Sequence, residues 1–137
     1  MSSRKEPASA QKIGAFGERV ALDYLKNKGY ELVAKNYQSG YGEIDLIVKN
    51  KEYLVFVEVK TRNHCAIDRP SAWVDRRKQK KIMKTAAVFL SENEELYEKF
   101  QLRFDIAEVI FDKTTRAVVS VEIIENAFTY SGDYSPL

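Results

Sequence analysis

Gly42-Glu43-Ile44-Asp45-Leu46-Ile47-Val48-Lys49 and Tyr53-Leu54-Val55-Phe56-Val57-Glu58-Val59-Lys60-Thr61-Arg62 are separated only by Asn50-Lys51-Glu52. Both stretches are rich in β-branched and aromatic residues, and the polar break between them has turn length, so the pair reads as a β-hairpin. Residues two apart on a strand share a face, which groups Glu58 with Lys60 and Asp45 with Glu43. A two-residue loop at Lys51-Glu52 sets Asp45 directly opposite Glu58, with Cβ atoms roughly 5 Å apart. A loop at Asn50-Lys51 makes them diagonal neighbours on the same face, and a one-residue bulge would separate them.

Two ionised carboxylates this close repel unless a cation lies between them. A hard, oxygen-seeking ion such as Mg²⁺ accepts one or two protein carboxylates and completes its shell with water and phosphate oxygens. A lysine beside such a site, here Lys60, orients or helps deprotonate the attacking water and stabilises negative charge in the transition state. The same three charges also fit a solvated stripe on the open face of an antiparallel sheet. Against the stripe stands the company they keep: Ile44, Leu46, Ile47, Val48, Leu54, Val55, Phe56, Val57 and Val59 suit strands covered on both faces, where an inserted charge needs a reason. Glu43 is a further candidate metal ligand or organiser of water, and fits equally a strand end in solvent.

Working outward, Ile13, Phe16, Val20, Ala21, Tyr24 and Leu25 recur at helical spacing over 11–28, and Gly29 is placed to end that helix. Gly14 and Gly17 inside it predict something packed closely on that face. Gly14 lies one turn from Glu18, so close packing there would lower Glu18 toward the strands; a surface carboxylate is the alternative. A strand over 31–38 and the turn Ser39-Gly40-Tyr41-Gly42 precede the hairpin. After a loop holding Asp68-Arg69-Pro70, a helix is expected from Asp75, as N-cap, to Leu90, burying Ile82, Ala86, Phe89 and Leu90. Strands at 102–111 and 117–124 follow, and the polar chain from Glu125 reads as a loosely held tail. The order αβββαββ, with hairpins early and a helical crossover between the third and fourth strands, predicts an α/β fold: a mixed sheet of about five strands flanked by helices. Residues 1–10 are expected to be a flexible N-terminus, 11–126 one domain and 127–137 a polar tail.

A chain of 137 residues, 45% hydrophobic, buries enough surface to fold without disulfide or structural metal. Cys65 is the sole cysteine, which excludes an intramolecular disulfide and a thiolate metal cluster. The first eleven residues lack the apolar stretch of a signal peptide and no run reaches membrane-spanning length, so a soluble cytoplasmic protein without a membrane partner is expected. The net charge of +2 says little, but Arg76, Arg77, Lys78, Lys80, Lys81 and Lys84 fall within nine positions without an acid among them. That one-signed run suits a phosphate backbone better than an ordinary solvated helix face, and Lys78, spaced i, i+4 from Ile82, is the member placed to lean toward the carboxylates. Arg62, at the end of its strand, is placed to hold a phosphate or to serve at the surface. His64 and Cys65 have no second partner in sequence and read as structural or loop residues; Trp73 reads as an anchor for its loop, with stacking on a base as the alternative. Asp105 is left between an internal ion pair and the edge of a site.

An acidic residue on one strand and Glu-X-Lys on the next resembles the PD-(D/E)XK superfamily of restriction endonucleases and Holliday-junction resolvases. More narrowly, the chain resembles the YraN family of bacterial proteins. That likeness rests on Gly14-Ala15-Phe16-Gly17-Glu18, Gly29-Tyr30, Asn36-Tyr37, Gly42-Glu43-Ile44-Asp45-Leu46-Ile47, Phe56-Val57-Glu58-Val59-Lys60-Thr61-Arg62, Lys78 with Ile82, and Arg103-Phe104-Asp105. It extends from about Ile13 to Ile124, and Ile44 stands where the superfamily pattern has proline. The resemblance implies a restriction-endonuclease-like fold and Mg²⁺- or Mn²⁺-assisted hydrolysis of nucleic-acid phosphodiesters. Asp45 and Glu58 would be the metal ligands, Lys60 would assist the water, and Glu18 would join the site from the first helix. The expected function is a metal-dependent endonuclease on DNA, structure-specific in the manner of resolvases; two-fold-symmetric junctions would favour a homodimer. The alternative is a non-catalytic nucleic-acid-binding module of a DNA-processing assembly; a third reading is an interaction subunit of a larger DNA-processing or secretion-linked assembly, docked through its C-terminal tail.

Overall fold

A computed structural model describes residues 10–64 and 74–129. Its elements are α1 (Ala10–Asn27), β1 (Glu31–Gln38), β2 (Glu43–Lys49), β3 (Tyr53–Asn63), α2 (Arg76–Ser91), α3 (Glu94–Lys99), β4 (Gln101–Phe111) and β5 (Val118–Phe128). The five strands form one sheet in chain order. β3 and β4 run parallel and the other neighbouring pairs antiparallel, so the sheet is mixed, as the connection through a helix requires.

The apolar runs of β2 and β3 are explained by cover on both faces. On one side Ile47 and Phe56 meet Ile82, Ala86 and Phe89 of α2 together with Phe104 of β4. On the other, Leu46, Val48, Val55 and Val57 meet Ala21 and Leu25 of α1 with Ala107 and Val109 of β4. α1 ends where the spacing predicts: Gly29 takes a left-handed φ of 98° while the Tyr30 amide donates to the Leu25 carbonyl at 3.0 Å. α2 begins at its predicted cap, with the Lys78 amide donating to Asp75 Oδ1 at 2.8 Å.

Three expectations are corrected. A Cβ on Gly17 would come within 1.8 Å of Thr61 Oγ1, so α1 does press on β3 there, but nothing lies within 4 Å of the same position on Gly14. Gly14 is not the contact that brings Glu18 inward. A third helix, α3, occupies part of the acidic stretch after α2; it buries no residue and has no apolar stripe to announce it. β5 runs on through Glu125 and Asn126 to Phe128, which is buried and stacks on Phe104 at 5.2 Å between ring centroids. Its end is fastened by the Asn126 amide, which donates to Asp105 Oδ1 at 2.9 Å.

Asp105 is thereby settled as part of an internal pair. Arg103 donates to both its carboxylate oxygens at 2.9 Å, and to the Tyr30 hydroxyl at 2.6 Å. Cys65 and Trp73 lie outside the described residues, as do Asp68-Arg69-Pro70 and the terminal segments 1–9 and 130–137. Among the described residues no helix is long and apolar enough to cross a membrane.

Candidate functional site

The hairpin register is set by a two-residue loop. Lys49 pairs with Leu54 and Leu46 with Val57, which carries Asp45 to the position opposite Glu58. The turn is held by Asn50, whose Oδ1 accepts from the amides of Glu52 and Tyr53 at 2.9 and 2.7 Å.

Pairing of β2 with β3 stops at Leu46 and Val57, while β3 continues beside β4 as far as Asn63 and Phe111. Asp45 therefore stands where β2 leaves β3. Its Oδ2 accepts the Val59 amide at 2.8 Å, taking up a β3 donor just beyond the last paired residue. The strand's alternation also slips here. Ile44 and Leu46, two residues apart, belong to opposite core clusters, and Ile44 shares a cluster with Ile47. Asn36, which falls opposite Asp45 in the β1 register, has a left-handed φ of 51°. The strict alternation along β2 that would group Glu43 and Asp45 on one face is broken at this point. Asp45 lies within the electrostatic reach of both Glu58 and Glu18.

Asp45 is pushed from the usual 3.8 up to about 7, first by burial and then by the charge of Glu58, with a smaller contribution from Glu18. The Val59 amide and Lys78 act in the opposite direction without prevailing. Glu58, buried on β3, receives Lys78 Nζ on its Oε2 at 2.6 Å. Lys78 thus leans in from the first turn of α2, as its spacing from Ile82 suggests. Burial works against its charge, yet the hydrogen bond to Glu58 and the charges of Glu58, Asp45 and Asp75 hold it above the ordinary lysine range. Glu18 accepts the Asn36 amide nitrogen Nδ2 at 2.9 Å, tying α1 to the strand beside Asp45.

The other predicted residues are placed less centrally. Glu43 is exposed and receives a long contact from Gln38 Nε2, 3.4 Å; the charges acting on Asp45 are those of Glu58, Glu18 and Lys78. Lys60, half-buried, is two residues along β3 from Glu58. Arg62 turns into the sheet, 3.6 Å from Glu108 Oε2. Arg76, Arg77 and Lys81 are exposed along α2.

Glu108 escaped the sequence reading. It is 3% exposed on β4, and in the parallel register it is the direct neighbour of Lys60. Its Oε2 is buried without a hydrogen bond. The signal was a lone glutamate in the apolar run Ile106-Ala107-Glu108-Val109-Ile110, which acquires a partner only once β4 is known to lie parallel to β3.

Asp45 and Glu58 suit an ion that takes one or two protein carboxylates and draws the rest of its shell from water or ligand. Burial, the main cause of the raised proton affinity of Asp45, opposes its charge, and the Glu58 carboxylate adds to the effect. Among the described residues no group of three or more His, Cys, Asp or Glu is arranged to hold a metal ion.

Fold and site together define a class: a mixed-sheet α/β domain with a carboxylate pair at a strand fork and a helix-borne lysine closing on it. Residues 17–109 match the profile described as Uncharacterised protein family UPF0102. A UPF0102 protein of Clostridium botulinum (strain Kyoto / Type A2) is 46% identical over 116 residues, covering 85% of this chain and 93% of that protein. A UPF0102 protein of Caldanaerobacter subterraneus subsp. tengcongensis is 42% identical over the same length, again covering 85% and 93%. The chain belongs to the UPF0102 family, the YraN-like proteins that its motifs resemble. Among solved structures, that of Pyrococcus furiosus SfsA in complex with Ca²⁺ is similar with a TM-score of 0.36 and 15% identity, over 85% of this chain and 62% of that one.

Proposed function

We propose that the chain is a Mg²⁺- or Mn²⁺-dependent endonuclease hydrolysing phosphodiester bonds of DNA in the manner of the PD-(D/E)XK enzymes that its motifs resemble. The observation that carries this is Asp45, held at a strand fork against Glu58 and lifted to about 7 by burial and like charge. A divalent ion there would supply Lewis acidity toward a phosphate oxygen and the attacking water. The protein's own part is positional. The Val59 amide fixes one oxygen of Asp45, and β3 carries Glu58 and Lys60 on alternate residues. The Lys60 ammonium is then available to orient the water and stabilise charge gathering on the phosphate. Arg77 and Lys81, exposed on α2, would contact the nucleic-acid backbone.

The test is incubation with duplex, single-stranded, flapped and branched DNA in Mg²⁺ or Mn²⁺. Cutting is expected, to be abolished by chelator and reduced on the order of a hundredfold or more in Asp45→Ala and Glu58→Ala. If no substrate is cut, or Asp45→Ala cuts as fast as the parent, the enzyme reading fails.

One observation favours a second reading, a non-catalytic nucleic-acid-binding module. Lys78 Nζ already neutralises Glu58 at 2.6 Å. That reading predicts salt-dependent DNA binding carried by α2 and indifferent to chelator and to Glu58→Ala. Binding lost on chelation would count against it.

A further inference from the structure

Tyr41, at the tip of the turn between β1 and β2, is 54% exposed, unlike the aromatic rings that build the core. It is nonetheless held in place. The Ser39 amide donates to the Gly42 carbonyl at 2.9 Å, and the Tyr41 amide to Ser39 Oγ at 3.0 Å. Ser39 Oγ in turn lies 2.9 Å from Thr85 Oγ1, on a residue of α2 that is fully buried. A Cβ on Gly42 would rest 3.5 Å from Lys81 Cβ and 3.7 Å from Thr85 Oγ1, so the turn sits directly on the helix. Lys84 Nζ stands 5.4 Å from the centre of the Tyr41 ring, a cation–π contact on the basic side of α2.

Three lysines at three-residue intervals connect this ring to the carboxylates. Lys78 meets Glu58, Lys81 flanks Gly42, and Lys84 meets Tyr41. At about 1.5 Å of rise per residue, Lys78 and Lys84 are about 9 Å apart along the helix axis.

We propose that Tyr41 is a base-stacking platform and that the substrate is unpaired nucleic acid, its strand passing Lys81 and Lys84 toward the carboxylates with a base laid on the tyrosine ring. This rests on the nucleic-acid reading above and narrows it. Cationic side chains beside an exposed aromatic ring suit a single strand, because every free base offers a π-face. Bases inside a duplex present only their edges, so the ring discriminates between the two. The positive charge of Lys84 beside the ring suits a polyanion better than an apolar peptide. Tyr41 is assigned to binding and positioning, with the chemistry left to Asp45, Glu58 and Lys60.

The test is fluorescence anisotropy on the full chain in chelator, with a labelled single-stranded deoxythymidine oligonucleotide and a labelled duplex of equal length. The parent is expected to bind the single strand more tightly. Tyr41→Ala should weaken that binding about tenfold, with less than about a twofold change on duplex, while Tyr41→Phe keeps the parent's affinity. Unchanged single-strand binding by Tyr41→Ala overturns the proposal, as does an equal loss on both probes. The nuclease reading is judged separately. Selective loss of single-strand binding in a protein that cuts nothing keeps the platform and removes the enzyme; cutting unaffected by Tyr41→Ala, with unchanged binding, removes the platform alone.

Discussion

At Asp45 a carboxyl group is asked to remain where burial, Glu58 and Glu18 all oppose its charge, and the result is a proton held to about pH 7. A carboxyl whose folded-state pKa is raised costs stability once the unfolded chain ionises. The cost begins as pH climbs past 3.8, grows until about 7, and then levels because the folded form ionises too. In chelator, the thermal midpoint of the parent is therefore expected to fall across this window, and Asp45→Asn to flatten the profile; melts taken at intervals of pH check it. Above pH 7, Mg²⁺ should raise the midpoint of the parent and leave that of Asp45→Asn nearly unmoved, since only the ionised pair gains by binding the ion. The lysine that leans on Glu58 was legible in the sequence, because Ile82 fixes which face of α2 is buried and Lys78 lies one turn before it. The break in the alternation of β2 between Ile44 and Leu46 was not. It comes with a left-handed Asn36 across the strand and with the early parting of β2 from β3, which no pattern within β2 displays.

Within α1 two glycines that look alike in sequence should respond oppositely to the same change. Gly14→Ala meets open space, so it is expected to stabilise the fold by up to about 1 kcal/mol through helix propensity alone. Gly17→Ala drives a methyl into Thr61, whose Oγ1, Cβ and Cγ2 would lie at 1.8, 3.0 and 3.2 Å. Turning the hydroxyl aside relieves only the first contact, so helix and strand must part, at a cost of about 1–3 kcal/mol. Thr61→Ala added to Gly17→Ala should recover much of that loss, a coupling read from urea midpoints of the two single variants and the double. The helix itself was plain from its apolar spacing. Which glycine touches β3 was hidden, because it depends on the residue of another element that happens to face it.

Across the whole molecule, the core is tied together by an aromatic run through three strands, with Phe56 stacked on Phe104 at 5.3 Å and Phe104 on Phe128 at 5.2 Å. Phe128→Ala is expected to cost about 3 kcal/mol, seen as a lower urea midpoint with chelator making no difference. The sheet's mixed topology was readable from the helix between β3 and β4, whereas the end of β5 was not, since the polar Glu125 and Asn126 mask the buried phenylalanine that follows. The Lys51-Glu52 turn has a consequence of another kind. It lies roughly 20 Å from the carboxylates, at about 3.3 Å per residue of strand, and touches none of them. Yet counting outward from it is what brings Asp45 level with Glu58. Surface loops ordinarily absorb insertions, but one extra residue here, if the strands re-paired around it, would turn the side chains of one strand to the opposite face. The turn is the molecule's ruler, and a change in its length would undo the pair while leaving every residue of the site in the sequence.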